Sequence, residues 1–486
     1  MVKEATPAIV GAAQVVQRPG ATELGSAKGP IELMVEAAVS AADDAGAQKL
    51  LRRLDWIGVA GGWFRYRNPG KLVADQLGSP DARTALSSVS GTGPQELLAF
   101  AAASIARGEM SVALVVGGEA RWSHQRLKKA GLEPSWNSDP GEGDPEALGA
   151  FPDEMLVEMA TVGPPAHAYA LIEDSLRSAN GESVEGQRDR ICDLWSHFSK
   201  VAAANPWAWQ RSALTAQDVR SESASNRMIA FPYTKSLVAN NTVDMASAVL
   251  LCDADTARSA GIASDRIVFP LVVAAAHETW RLANRERLHR CPALEACGAA
   301  AFGHVGVGPD DIANVDLYAC FPSIVEISGK ALGFSLERSL TVTGGLGFAG
   351  APVGNAVGHS IAAMVSQLRS GGYGLIHGNG GVATKHNIGI YSDRPVSAFE
   401  YLDVQDRVLT LETPELQGDF AGEVRVEAAT VVFDRSGPSH VLASVLDSDA
   451  RRGWARSTSE EMIDEVLGEG IAGNAGFRIA DGTLIL

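Results

Sequence analysis

The stretch SVSGTGPQELLAFAAASIARGE (residues 88–109), continued by MSVALVVGGEA (residues 110–120), decides how the chain is read. Residues 84–89 are extended, and Ser90-Gly91-Thr92-Gly93-Pro94 is a glycine-rich turn. Residues 95–107 form a helix rich in Ala and Leu. Residues 111–116 are a continuously apolar strand running into Gly117-Gly118-Glu119. The loop opens a helix, where unpaired backbone N–H groups can meet an electron-rich group.

A similar unit recurs late in the chain. Residues 340–343 read as extended, 344–352 as a glycine-rich turn, 353–368 as a helix, and 373–376 as a strand running into Gly378-Asn379-Gly380-Gly381. An offset of 262 residues carries Ser111 to Tyr373 and Ser90 to Pro352. The two loops thus hold equivalent places in two half-proteins that face each other, the mark of an internal duplication. Elsewhere strands (8–12, 56–60) alternate with amphipathic helices such as 31–46, whose apolar positions are Leu33, Met34, Ala37, Ala38 and Ala41. The class is α/β.

Residues 141–227 are mostly helical, with Trp195, Trp207 and Trp209, and read as an insertion in the first half. After Pro395 the texture changes again. Val424, Val426 and Ala428 alternate with Arg425 and Glu427, and Asp434-Arg435-Ser436-Gly437 is a turn between strands 430–433 and 441–445. A helix at 459–467 and a hairpin around Asp481-Gly482 follow. Three units are expected: 1–262 with its insertion 141–227, 263–394, and 395–486. The last is expected to be a separate β-rich, OB-like barrel that the body does not need for its own core.

The 486 residues are 46% hydrophobic and 20% charged, enough for a large core without staples. Cys192, Cys252, Cys291, Cys297 and Cys320 are few and odd in number, and nothing from Met1 to Gln14 resembles a signal peptide. Reduced thiols and a cytoplasmic setting follow. No apolar run reaches the length of a membrane span. A net charge of −17 argues against nucleic acid and anionic membranes as partners. It also means that a site for an anionic ligand needs a local basic patch or helix N-termini.

With these features in hand, the chain resembles the thiolase superfamily over residues 6–392, most closely the bacterial acetyl-CoA acetyltransferase-like proteins related to sterol-carrier-type thiolases. The matching stretches are SVSGTGPQELLAFAAASIARGE, ALVVGGEA, NRMIAFPYTKSLVANNTVDMASAVLL, DLYACFPS and GGLGFAGAPVGNAVGHSIAAM. The resemblance implies a duplicated five-layer fold and a ligand that is CoA or an acyl-CoA, with no separate cofactor. The superfamily is usually dimeric, which leaves a homodimer open. Some relatives that lack the catalytic cysteine are aldolases on steroid side-chain thioesters and work with an OB-fold partner; here a β-rich unit is fused to the chain.

The four catalytic loops of thiolases are all altered. Ser90 stands at the nucleophilic cysteine of C-x-S-G, where a helix N-terminus would favour a thiolate. Tyr318 stands at the Asn or His of the oxyanion loop, in Tyr318-Ala319-Cys320-Phe321. Ala351 replaces the activating His of G-H-P. Around Ile376 to Gly381, where the family has C-x-G, His377 is the acid/base candidate, within a one-residue uncertainty of register.

The candidate catalytic residues are therefore Ser90, Tyr318 and His377, and the ligand-lining candidates are Asn240, Asp244, Gly345, Gly350, Gly380 and Gly381. The plainer readings are Ser90 as a helix cap, Tyr318 as a lining aromatic, and Asn240 and Asp244 as structural hydrogen-bonding groups; His359 reads as a satisfied helical histidine, whereas His377 and His386 stay open between the two readings. His289, Cys291, Cys297 and His304 match no common metal spacing. Gly345 to Gly350 fits G-x-G-x-x-G, but no acidic residue follows on a second strand, so dinucleotide binding is set aside. Three functions remain: a CoA-thioester protein without thiolysis, of aldolase type or otherwise; an acyltransferase using Ser90; and a non-catalytic structural or regulatory subunit.

Overall fold

The computed structural model describes residues 5–20, 23–134, 136, 139–395, 398–409, 412–416, 420–480 and 482–485. The repeat read from the sequence is two sheets. In the first half, Arg83–Ser87, Trp56–Val59, Val112–Ala120, Asp244–Asp253 and Pro7–Val16 lie side by side in that order. In the second, Ile312–Asp316, Tyr373–Gly380, Lys385–Ser392 and Phe269–His277 repeat the last four, with the same mixture of parallel and antiparallel neighbours. Val112–Ala120 is buried at every position, as expected of a strand covered on both faces.

Helix Pro30–Asp44 covers the outer face of the first sheet with Leu33, Met34, Ala37, Ala38 and Ala41, as the spacing predicted. Helix Gly93–Ala106 lies between the sheets. Leu97, Leu98, Ala101 and Ile105 face the first sheet, while Ala99 and Ala102 meet Val273 of the second. Helix Ala356–Leu368 packs beside it through Val357, Ile361 and Met364. Helices Pro292–Val305 and Pro322–Leu332 form the last layer. The five-layer duplication is thus present, and both glycine-rich loops lead into its middle layer.

One expected strand is absent. Residues 340–343 form no ladder, because the buried Asp316 carboxylate takes the hydroxyl of Thr341 at 2.7 Å and the backbone N–H of Val342 at 2.8 Å. The insertion holds four helices, Asp153–Val162, Pro165–Asn180, Val184–Ala204 and Ala216–Arg220. Its short strand Glu146–Leu148 runs parallel to Arg83–Ser87 and covers that sheet edge. Among the described residues, no helix is long and apolar enough to cross a membrane.

The tail is a small β-barrel. Gly422–Phe433 pairs with Pro438–Leu446, that strand with Arg452–Ser457, that with Thr483–Ile485, that with Phe477–Ala480, and the last with Gly422–Phe433 again. Helix Glu460–Gly468 connects the third and fourth strands in chain order. Closure removes the free sheet edges. Val424 and Val426 point into the barrel as expected, but a bulge between Val426 and Ala428 breaks the alternation and turns Ala428 toward the body; of the hairpin at Asp481-Gly482, Asp481 lies outside the described residues.

The expected independence of this unit is corrected. Strand Glu400–Asp403, assigned by the sequence to the tail, is the edge of the second-half sheet beside Phe269–His277. Just after the insertion, strands Met228–Ala230 and Tyr233–Thr234 extend the barrel sheet at Val432. Val404, Ala428, Val432 and Leu442 belong to the core of the body. Asp174 of the body accepts the Ala429 N–H at 2.8 Å. Arg452, 1% exposed, forks onto Glu427 at 2.7 and 2.8 Å and donates to body carbonyls, Ala283 at 3.1 Å and Arg285 among them.

A buried guanidinium held by that many acceptors is costly to remove, because its partners stay desolvated. Arg452→Met should lower stability in urea unfolding by about 3–5 kcal/mol. The double variant Arg452→Met/Glu427→Leu should lose less than the single one, since no charge is then stranded.

Candidate functional site

Ser90 sits where the two halves meet. It is 4% exposed, three residues ahead of the first residue of helix Gly93–Ala106. Its Oγ lies 2.6 Å from the Thr92 hydroxyl and accepts the Thr92 N–H at 3.2 Å. Opposite stands Gly380, where a Cβ would come within 2.1 Å of the Ser90 Oγ. At Gly91 a Cβ would fall 2.3 Å from the Asn379 carbonyl oxygen and 2.4 Å from the Tyr318 ring. The structure therefore brings Ser90, Tyr318 and Gly380 together. The glycines there allow close approach between backbone and neighbouring side chains.

Tyr318 is half-buried, and burial raises its phenol well above the usual range, so it is a neutral donor at physiological pH. Next to it the sequence reading missed a polar group: Asn379, Cys320 and Tyr169. Asn379 donates to the Tyr169 hydroxyl at 2.9 Å and lies 3.9 Å from the Cys320 sulfur. Tyr169 in turn accepts the Ala383 N–H at 2.8 Å. The Asn379 Oδ1 is buried without a hydrogen-bond partner. Burial pushes the Cys320 thiol up to about 12, so it is no thiolate. In sequence Cys320 and Asn379 were visible only as parts of loops named for other positions, and Tyr169 only as one residue of the helical insertion.

His377 does not share the Ser90 site. On strand Tyr373–Gly380, side chains alternate: Ile376 joins the middle-layer core, Gly378 and Gly380 face Gly91 and Ser90, and His377 faces the outer helices. Its Nδ1 lies 3.1 Å from the Ser328 hydroxyl and its Nε2 3.2 Å from His386 Nδ1. Burial drives His377 down to about 3 and His386 well down, so both are neutral. His359 is a core histidine 2.9 Å from Gln14 Oε1, also driven down to about 3 by burial.

The lining candidates divide. The Asn240 carbonyl holds the Ala351 N–H at 3.0 Å and its side chain caps Thr242, so Asn240 shapes the loop that ends beside Ser90. Asp244 is fully buried and bound by Ser123 and Gln17, a structural anchor. Gly345 faces Phe198, Gly350 faces Met245 and Trp209, and Gly381 faces Met155 and Thr384. These three glycines admit protein side chains.

The cysteine–histidine reading also resolves. Cys291 groups with Glu278 and His386, not with His289, Cys297 and His304; ligand atoms of the three lie within 4.8 Å of one another. Glu278 already caps Ala293 at 2.7 Å and His386 Nε2 lies 3.3 Å from the Ala383 carbonyl oxygen, so both have protein partners. His289 bonds Ser175 at 2.8 Å.

Two large cavities lie away from Ser90. One, about 890 Å³, runs along helix Gly93–Ala106. The other, about 970 Å³, opens at the carboxyl ends of Trp56–Val59 and Val112–Ala120 and is lined by Trp63, Tyr66, Glu119 and Arg121. Burial raises Glu119 from 4.5 to about 7, although it accepts the Trp63 N–H at 2.5 Å. The folded protein then keeps a proton that the unfolded chain has released, so this group's effect on stability grows less favourable as pH rises from about 4.5 to about 7. Glu119→Gln, which keeps an acceptor for Trp63, should remove that slope. The variant should be more stable than the parent at pH 8 by up to about 3 kcal/mol and equal to it near pH 4.5, in denaturant titrations at each pH.

Known proteins share this fold. Residues 403–483 match the family described as thiolase-like protein type 1 additional C-terminal domain. No curated protein matches the chain in sequence. A monomeric SCP2-thiolase-like protein type 1 from Mycobacterium smegmatis is 28% identical, with a TM-score of 0.83 over 100% of this chain and 99% of its own. The Ltp2–ChsH2(DUF35) aldolase shares the fold at 18% identity and a TM-score of 0.61, over 82% of this chain and 100% of its own. The acetyl-CoA acetyltransferase from Syntrophomonas wolfei does so at 14% and 0.56, over 80% and 99%. By its duplicated five-layer body and its fused C-terminal barrel, the chain is a thiolase-superfamily protein with an additional C-terminal domain.

Proposed function

We propose that the chain binds a CoA thioester and performs no thiolysis. The observation that carries this reading is the Ser90 hydroxyl: it lies at a helix start among converging loops, with Thr92 as its partner and Ala351 where an activating base would stand. A hydroxyl without an adjacent base is a poor nucleophile. Cys320, held as a thiol, offers no substitute. These features also count against an acyltransferase built on Ser90. They leave the loops as a binding surface, with the helix N-terminus and the Tyr318 phenol as donors toward a thioester oxygen.

A second reading, a carbon–carbon lyase of thioesters, is favoured by one observation: the barrel is fused into the body through Arg452 and the strands at Met228 and Tyr233. In that reading Tyr318 alone is the proton donor, because His377 faces elsewhere. Strand Glu146–Leu148, covering the edge at Arg83–Ser87, supports a monomer, the state of the M. smegmatis protein, over a homodimer joined at that edge.

Calorimetry should detect CoA or acetyl-CoA binding that saturates only in the millimolar range, weak because the protein is so acidic. Absence of heat at these concentrations, with a long acyl-CoA included, would refute the reading. Acetoacetyl-CoA thiolysis should stay at background. Ser90→Cys should remain at least about 10²-fold below a working enzyme, since a positioned base supplies about 10²–10⁴. Robust turnover lost in Ser90→Ala would establish the acyltransferase instead.

A further inference from the structure

The cavity along helix Gly93–Ala106 has a construction that the thioester reading does not use. Its floor is a run of small residues, Ala99, Ala103 and Ala106 on one helix face, one turn or less apart. Phe100, Leu148 and Phe399 rise on its sides. Charged groups also line it, Arg107, Glu400 and Asp403 among them, and two others, Glu96 and Lys385, neutralise each other at 2.9 Å. At about 890 Å³ it lies within the range of small-molecule sites, which are mostly apolar with a few polar groups.

Behind the lining residues His277 and Lys385 stands a set of rings that lies between them and Gly380. His277, in the cavity lining, stacks on Trp280 at 4.1 Å, and Trp280 meets Phe151 edge-on at 6.3 Å. Lys385 lies over the Phe151 ring at 5.2 Å. On the far side, the tip of Phe151 comes within 3.3 Å of the point where a Gly380 side chain would begin, the point that lies 2.1 Å from the Ser90 Oγ. Phe151 therefore separates the cavity from the converging loops.

We infer that this cavity holds an unbranched aliphatic chain, and that Phe151 is the partition between the chain's pocket and Ser90. An alanine floor lets a chain lie flat along the helix, and the flanking rings offer apolar sides. The paired Glu96 and Lys385 present no net charge, which suits an uncharged chain better than an ionic head. The link to the thioester, as its acyl part, rests on the function proposed above. The pocket and its partition do not.

The test is binding of straight-chain 1-alkanols, from hexanol to tetradecanol, to the full-length protein by calorimetry. Affinity should tighten about fourfold per added methylene, the factor for burying a CH₂ group, until the cavity is filled and the series levels off. Ala103→Trp fills the floor and should weaken decanol binding at least about tenfold. Ala106→Phe is a second, independent filling variant, and the melting temperatures of both report that they fold. In Phe151→Ala the levelling-off should move to longer chains.

Failure of every alkanol to bind overturns the inference, as does decanol affinity unchanged in both filling variants. An unmoved levelling-off in Phe151→Ala overturns the partition. Loss of CoA heat with alkanol binding intact refutes only the thioester reading, so the two can fail separately.

Discussion

At Gly354 a methyl group would lie 2.2 Å from the Gly61 carbonyl oxygen and 3.4 Å from the Ser90 amide nitrogen. This approach, the start of the second-half middle helix against the loops of the first half, is the constraint around which the rest is arranged. Behind it a buried amide network ties the halves: Gln95 donates to Asn387 at 2.7 Å and accepts from Tyr391 at 2.8 Å, and Asn387 donates to the Thr92 carbonyl at 3.0 Å. The turn at Pro352 is tight, with the Val353 N–H 2.6 Å from the Ala351 carbonyl oxygen. Val353 sits at φ 49°, a conformation that a β-branched residue holds only where its surroundings impose it.

Within that junction, electrostatics are set by exclusion of water. Cys320 stays a thiol and Tyr318 a phenol, and behind the strand the His377–His386 pair stays uncharged for the same reason. A surface with a net charge of −17 thus encloses an interior site that carries almost no charge of its own. Recognition there has to come from oriented hydrogen-bond donors and from shape.

Much of the architecture was legible in the sequence because duplication and periodicity are local patterns. The 262-residue offset located the two loops, and the alternation at Val424 and Val426 located the barrel wall, although a bulge carries Ala428 to the body. Residues 340–343 misled because their polar backbone is satisfied by one remote carboxylate, Asp316, which no pattern within the segment reveals. His377 misled through parity. Along a strand, a single step decides which layer a side chain enters, and the loop's register was uncertain by one. Phe151 and Asn379 matter through what they face across the junction, and Arg452 looks like any other arginine of the tail. Long-range placement of that kind leaves no trace in spacing.

The weld between barrel and body also has a bearing on how the chain is made. The strands at Met228–Ala230 and Tyr233–Thr234 emerge from the ribosome well before Gly422–Phe433, their partner. At about 5–20 residues per second, the intervening roughly 190 residues take on the order of ten to forty seconds. Through that interval the body displays the unfinished side of its core, later closed by Ala428, Val432 and Leu442, together with a sheet edge awaiting its neighbour. Such surfaces are where chaperones bind and where aggregates start. The burden of this fusion falls on biogenesis: a nascent chain must be shielded until the barrel strands Gly422–Phe433 and Pro438–Leu446 arrive.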